Sequence, residues 1–214
     1  IFSLGLKHRI KRPNTFCRNP LGHVLKVDLN QKYDFQGLFG DTARDILRDN
    51  SVSRKSQGHL TNGIQTSGNI FLLDRFRDSR IEGIIRSEID NYRSHFENSE
   101  EGFIANWPNS YTVFGWLVSM RSGGKLESHM HDTGWLTGSI YINVPSKPEP
   151  DSGNLVLCES GDEDPMGIEK PGRRVIDVRT GSLCFFPSSL HHYTIPFEGD
   201  ENRIVLAFDI IPDR

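Results

Sequence analysis

The sequence predicts a mainly β protein, an antiparallel sandwich or barrel with helices packed against it. From residue 111 onward the chain consists of eight short β-rich segments separated by turn residues, and two amphipathic helical patterns precede them. Short strands at this spacing are typical of sandwiches and barrels. The chain has 214 residues, 36% of them hydrophobic, and a formal net charge of −3. Such a chain is long enough for one domain with a small extension.

Two helices are predicted in the first hundred residues. Apolar side chains recur at helical spacing from Phe35 to Leu47 and again from Ile81 to Phe96. Ser79 followed three positions later by Glu82 predicts a capping box at the start of the second helix. We expect the second helix to brace one sheet of the barrel from outside.

The strands are predicted in the second half of the chain. They cover residues 112–120, 125–131, 136–144, 154–158, 174–178, 182–186, 191–195 and 203–211. We therefore place the β core over residues 105–214 and regard residues 1–104 as a helical and short-strand extension packed on it. The acidic loop over residues 159–172 is long enough to predict a lid.

The composition limits the classes of binding partner and the cellular compartment that we expect. Acidic and basic residues nearly balance, and the basic run over residues 7–12 is short, so we expect no nucleic-acid partner. No apolar run reaches the roughly 18 residues of a membrane span, so we expect no membrane partner. Three distant cysteines, Cys17, Cys158 and Cys184, predict neither a disulfide framework nor a CxxC site, which favours the cytoplasm. Because the chain begins with Ile, we allow for further domains upstream; nothing in the sequence indicates an oligomeric state.

His129 and His131 are the first candidate metal ligands. Residues i and i+2 of a strand point to the same face about 6.6 Å apart, so two imidazoles at this spacing can converge on one metal ion. The alternative is a pair of surface histidines in a loop after Gly123 and Gly124. The two residues alone do not decide between these interpretations.

A second histidine pair, His191 and His192, follows a Pro-Ser turn at the start of a predicted strand. A strand start is a rigid place from which to complete a metal site begun by an earlier strand. Alternation sends adjacent side chains to opposite faces, so at most one of the two should bind metal.

Arg203 opens the last predicted strand and shares a face with Val205, Ala207 and Asp209. A buried arginine is seldom left without an anion. A substrate carboxylate is one candidate partner, and Asp209 or an acidic loop is the alternative.

One predicted strand has a polar face made of Thr137, Ser139, Tyr141 and Asn143. Inside a barrel these groups would line a ligand pocket, with Tyr141 as an extra hydrogen-bond donor; on the outside they would only be solvated. Both placements stay open. Trp116, like the other two tryptophans, is predicted to be a packing residue.

These groups together resemble a known arrangement. The pair His129-x-His131, the distal His192 in Phe186-Pro-Ser-Ser-Leu-His-His192, and Arg203 eleven residues later resemble the double-stranded β-helix of the 2-oxoglutarate and Fe(II)-dependent oxygenases. The segment over residues 123–145 is similar to the oxygenase domain often found beside tetratricopeptide repeats in bacterial proteins. The resemblance covers about residues 105 to 212.

The resemblance implies Fe(II) held by His192 and one or both of His129 and His131, and 2-oxoglutarate held through its distal carboxylate by Arg203. Tyr141 and Thr194 are expected in the same cosubstrate pocket. The commoner pattern of the family is His-x-Asp, whereas this chain has histidine at the second position. Asp132 follows one residue later, where a continuing strand would point it away. The implied activity is hydroxylation coupled to formation of succinate.

Two other functions fit the same jelly-roll or cupin-like barrel. Gly123-x5-His129-x-His131 and Gly181-x5-Pro187 also resemble cupin motifs, although the glutamate expected after the histidine pair is missing. That likeness implies a three-His metalloenzyme that does not use 2-oxoglutarate. A non-catalytic module binding a peptide or a small anion is the third reading. The sequence leaves the substrate open between a small molecule and a peptide or protein.

Overall fold

The structure is a computed structural model that describes residues 16–77, 79–159 and 172–213. The basic run over residues 7–12 and most of the predicted lid, residues 160–171, lie outside the described residues.

The described residues form ten strands that pair only in the antiparallel sense. The strands are β1 Leu25–Asp28, β2 Arg54–Lys55, β3 Leu60–Thr66, β4 Tyr111–His129, β5 Leu136–Asn143, β6 Leu155–Cys158, β7 Arg173–Ile176, β8 Ser182–Pro187, β9 His191–Thr194 and β10 Arg203–Pro212. Their order is β1-β8-β5-β10-β4-β9-β6-β7, with β3 also paired to β4 and β2 to β3. This confirms the predicted mainly β architecture.

The long strand β4 joins the two halves of the sheet. Its first ten residues pair with β10, whereas Leu126 and His129 pair with β9. Between these parts Gly123 adopts a φ of +70°, a backbone conformation that favours glycine, so the strand can bend there. The two strands predicted over residues 112–120 and 125–131 are therefore one, and the prediction that the second reaches His131 is wrong. Beyond His129 the chain leaves the ladder, and the backbone N–H of His131 donates to the carbonyl of Ser188.

Four α-helices lie in the described part of the chain: α1 Asp41–Arg48, α2 Asp74–Arg77, α3 Ile81–His95 and α4 Gly102–Ala105. A π-helical turn over Gln36–Gly40 precedes α1, and short 3-10 turns cover Pro20–His23, Leu29–Gln31 and Ile70–Leu72. Both predicted helices are thus confirmed, with slightly shifted ends.

The predicted capping box is wrong. Arg80 precedes α3 in a left-handed conformation and makes no side-chain cap. The hydroxyl of Ser79 instead donates to the carbonyl of Phe76 at 2.7 Å, and Glu82 pairs with Arg86. Ser79 Oγ also accepts from the backbone N–H of Ile81 at 3.4 Å, but Glu82 does not bond back to the start of the helix, so the reciprocal box is absent.

The helices cover one face of the sheet, as predicted for α3. The apolar stripe of α3 is buried together with one face of β5 and of β10, and this core includes Ile81, Ile85, Ile89, Tyr92, Leu136, Ile140, Leu206 and Phe208. β5 and β10 pack closely at Gly138, because a Cβ atom at this position would overlap the Phe208 ring. Because alternate side chains point to opposite faces, the other faces of β5 and β10 line the barrel interior.

Residues before 105 also contribute to the sheet. β1 pairs with β8, and β3 pairs with β4. The division of the chain after residue 104 stays a prediction. No helix among the described residues is long and apolar enough to cross a membrane.

Candidate active site

Three histidines meet inside the barrel. His129 ends β4 and lies directly across the ladder from His192 in β9, and His131 follows two residues after His129. One ring nitrogen from each lies within 4.8 Å of the others, and the Nε2 atoms of His129 and His131 are 3.3 Å apart. Among the described residues this group could hold a metal ion, and His191 is not part of it.

Hydrogen bonds orient the three rings. His129 Nδ1 donates to the carbonyl of Glu127 at 2.8 Å, and His192 Nδ1 donates to the carbonyl of Leu190 at 3.5 Å. A carbonyl oxygen only accepts, so the proton of each neutral ring is on Nδ1. His131 Nδ1 donates to a carboxylate oxygen of Asp209 at 2.8 Å. All three Nε2 lone pairs are therefore free to point towards the same space.

The electrostatics of the site suit a cation. Burial lowers the pKa of His129 to about 4 and holds the pKa of His192 well below its usual range, so both are neutral at neutral pH. With the protons on Nδ1, two lone pairs face each other across 3.3 Å, an arrangement that a bound cation stabilises. Three imidazoles are a donor set that divalent transition metals accept. The residues present thus fit a metal ion.

Asp209 supplies a carboxylate at this site. It is buried in β10, and its Oδ1 also accepts from the Thr137 hydroxyl at 2.7 Å. Asp209 lies about 20 Å along the strand from Arg203 by strand rise, so the alternative that it pairs with Arg203 is wrong. Asp132 is outside the histidine group. The Asp209 carboxylate therefore accepts the hydrogen bond from His131 Nδ1 and orients the His131 ring.

We expect Asp209→Asn to weaken binding of Mn(II) by about 10- to 100-fold, because the partner that orients a ligand histidine is lost. Calorimetric titration of both proteins with Mn(II) measures the change. The exposed Asp200→Asn is the matched control and should bind as the unchanged protein does. Equal affinity in Asp209→Asn would contradict an orienting role.

Arg203 lies at the start of β10 and is only 2% exposed. Its Nε donates to the carbonyl of Gly153 at 3.1 Å, and its guanidinium carbon lies 5.0 Å from the centre of the Tyr141 ring. Burial lowers the pKa of Arg203 and raises that of Tyr141. No carboxylate in the described part of the chain forms an ion pair with Arg203. Among the described residues this buried cation therefore has no anionic partner, and most of the acidic loop that was the other predicted partner lies outside them.

One cavity connects Arg203 to the histidines. The residues selected from the sequence all line it: His129, His131, His192, Arg203, Tyr141 and Thr194. Thr137 and Ser139 line it too, so this polar face of β5 points into the barrel. Asn143 does not line the cavity, because it bonds Glu201 and the backbone of Asn202 at the strand end.

Two further residues belong to the surroundings of the site. Trp116 is not simply a packing residue: it is half-buried, and its ring centre lies 5.5 Å from that of His131. Alternation along β4 could have indicated this, since Val118 and Met120 line the same cavity. His59 stacks on His129 with ring centres 5.6 Å apart. No local sequence signal connects His59 with His129.

Sequence comparison finds a family model that matches the core of the chain. Residues 115–209 match the family model described as "Putative 2OG-Fe(II) oxygenase", where 2OG is 2-oxoglutarate. The matched segment contains the three histidines, Asp209 and Arg203. Comparison with curated proteins finds no match.

Solved structures share the fold. A prolyl hydroxylase from Trichoplax adhaerens, in complex with a peptide of hypoxia inducible factor, superposes with a TM-score of 0.63 at 12% identity over 98% of this chain and 92% of its own. A Pseudomonas putida prolyl-4-hydroxylase gives 0.58 at 12% identity over 90% and 94%. HygX from Streptomyces hygroscopicus, with nickel and 2-oxoglutarate bound, gives 0.59 at 11% identity over 91% and 87%.

These likenesses confirm the double-stranded β-helix with its flanking helices. The family match agrees with a histidine group that could hold a metal ion and with a buried arginine that has no carboxylate partner among the described residues. Residues 115–209 are therefore the part of the chain that matches the 2OG-Fe(II) oxygenases, and an enzyme of this kind takes Fe(II) as its metal and 2-oxoglutarate as its cosubstrate.

Proposed function

We propose that the chain is a hydroxylase, which couples conversion of 2-oxoglutarate to succinate with oxidation of a substrate C–H bond. The observation that carries the proposal is the cavity with three converging imidazoles at one end and, at the other, the buried Arg203, which pairs with no carboxylate among the described residues. A dicarboxylate cosubstrate matches such a cavity, because one end can approach a metal while the other meets a guanidinium.

His129, His131 and His192 are the residues that would hold Fe(II). Three neutral imidazoles leave the metal its full double positive charge, whereas a set with one carboxylate would cancel part of it. The bond from His131 Nδ1 to Asp209 brings a carboxylate next to one ring, which fixes the orientation of that ligand. We therefore infer that the carboxylate of this site acts through His131 and not as a direct ligand.

Arg203 would bind the distal carboxylate of 2-oxoglutarate. The Tyr141 ring and the Gly153 carbonyl hold the guanidinium in place, and the hydroxyl of Thr194 lies in the same cavity as a hydrogen-bonding group. Leu155 and Val205 line the cavity and exclude water, which strengthens the attraction between guanidinium and carboxylate. The bound metal supplies the oxidising chemistry, in which O2 and 2-oxoglutarate are consumed.

The structural neighbours support hydroxylation, since two of them are prolyl hydroxylases. Their ligands differ in kind: the Trichoplax adhaerens protein is in complex with a peptide, and HygX is in complex with hygromycin B. Proteins of this fold thus bind both peptides and small organic molecules. We propose that the substrate is a small molecule or a peptide or protein segment that reaches the histidine group from the open side.

The experiment that tests the proposal is formation of succinate from 2-oxoglutarate by the protein with Fe(II), ascorbate and O2, with and without candidate substrates. We expect succinate above the level of a heat-denatured control, and a product that has gained one oxygen atom by mass spectrometry. Absence of succinate with every candidate substrate contradicts the proposal. A product of unchanged mass would contradict hydroxylation alone.

A further inference from the structure

A second cleft leads from the histidine group to the surface. It is lined by Lys55 of β2, Gln65 of β3, and Phe114 and Trp116 of β4, besides His129 and His131. Three of these residues, Lys55, Gln65 and Phe114, precede the segment that matches the family model. These three residues of the cleft are therefore not part of the matched oxygenase segment.

Gln65 has an unmet hydrogen-bonding capacity. The residue is 5% exposed, and its side chain forms no hydrogen bond with any described residue; its Oε1 is buried and unpartnered. The backbone of Gln65 pairs with Val118 and Lys55, so the ladder fixes where the amide lies. Buried polar side chains are nearly always hydrogen-bonded, and an exception beside a cleft points to a ligand that supplies the partner.

The wall next to the amide is aromatic. Phe114 and Trp116 occupy alternate positions of β4, with ring centres 6.2 Å apart, and both are half-buried. The Trp116 ring also lies beside His131. A carbon chain lying against these rings would bring its C–H bonds next to the metal-binding group.

The charge of the cleft is positive at its rim. Lys55 is exposed and forms no ion pair within the described ranges, whereas Asp209 is engaged by His131. Glu127, near the cleft, pairs with Lys125 at 3.3 Å and lies 4.0 Å from His59. An acidic group on the ligand would complement Lys55.

We propose that this cleft binds a peptide segment with an acidic side chain, in which a backbone amide bonds to Gln65 and the residue to be oxidised lies against Trp116. A primary amide both donates and accepts, and so does a peptide group, which a polypeptide presents at every residue. The inference rests on the proposed function, because it names the substrate class of the same site.

The test is capture of peptides by the protein loaded with Mn(II) and 2-oxoglutarate. Mn(II) in place of Fe(II) fills the metal site without oxidising the peptide. The probe is a library of random octapeptides with acetylated and amidated ends. We expect the unchanged protein to retain peptides enriched in Asp and Glu, and Gln65→Leu to retain about tenfold less, as for loss of one buried hydrogen bond. The exposed Gln31→Leu is the matched control and should retain as much as the unchanged protein. Lys55→Gln should retain peptides without acidic enrichment.

Each variant and each binding measurement tests a different part of the proposal. Equal retention by Gln65→Leu would overturn the role of Gln65, and no retained peptide with intact Mn(II) and 2-oxoglutarate binding would overturn the peptide class. If Gln65→Leu fails to bind Mn(II) and is misfolded, Trp116→Leu replaces it, with the same loss expected. Failure of the unchanged protein to bind Mn(II) and 2-oxoglutarate overturns the proposed function together with this inference.

Discussion

His192→Ala is expected to abolish metal binding, whereas His191→Ala is expected to leave it intact. His192 is 6% exposed, and its ring is one of the three that converge, while the adjacent His191 lies outside the group. Removing a direct ligand should cost more than the about 100-fold lost when only an orienting partner is removed. Anaerobic calorimetry with Fe(II), or with Mn(II) as an inert substitute, measures both variants.

The two variants form a matched pair, since the same change is made at neighbouring positions of one strand. Thermal unfolding of the metal-free proteins shows whether either change damages the barrel. Full metal affinity in a folded His192→Ala protein would show that the assignment of this ligand is wrong. Loss of affinity in His191→Ala would show that the wrong face of β9 has been assigned.

Arg203→Met should keep metal affinity and weaken binding of 2-oxoglutarate by about 2–5 kcal/mol, the cost of removing one partner of a desolvated charge pair. Methionine is apolar and close in length, so the variant leaves no buried charge behind. Calorimetry with 2-oxoglutarate on the Mn(II)-loaded protein gives the difference.

Arg179→Met is the control for Arg203→Met, because the Arg179 side chain is 80% exposed and pairs with Asp177 at the surface. Its affinity for 2-oxoglutarate should equal that of the unchanged protein. If Arg203→Met also binds 2-oxoglutarate normally, the cosubstrate lies elsewhere. That result would favour a cupin-like use of the three histidines.

Strand alternation was the most reliable part of the sequence analysis. It put Arg203, Val205 and Ala207 on one face of β10, and these side chains line one cavity. It also separated Thr137 and Tyr141 from the apolar face of β5 that packs under the helices. Alternation follows from the geometry of a single strand, so neighbouring residues suffice to predict it.

Which face of β5 is interior could not be read from the strand itself. Both faces of the strand are buried, one under the helices that include α3 and the other inside the barrel. The choice depends on which other elements pack on each face, and these elements come from distant parts of the chain. The capping error at Ser79 has a local cause instead, because its hydroxyl donates to the carbonyl of Phe76 three residues earlier.

By itself, the sequence predicted most of the strand and helix segments, the candidate residues His129, His131, His192 and Arg203, and through resemblance the oxygenase family. Only the tertiary structure decided what surrounds them: Asp209 bonds to His131, and the buried Oε1 of Gln65 lies beside the cleft with no partner among the described residues. Asp209 lies opposite Thr137 in the ladder, and Gln65 lies opposite Val118. Such neighbours are set by the register between strands far apart in the chain, which no local pattern of residues encodes.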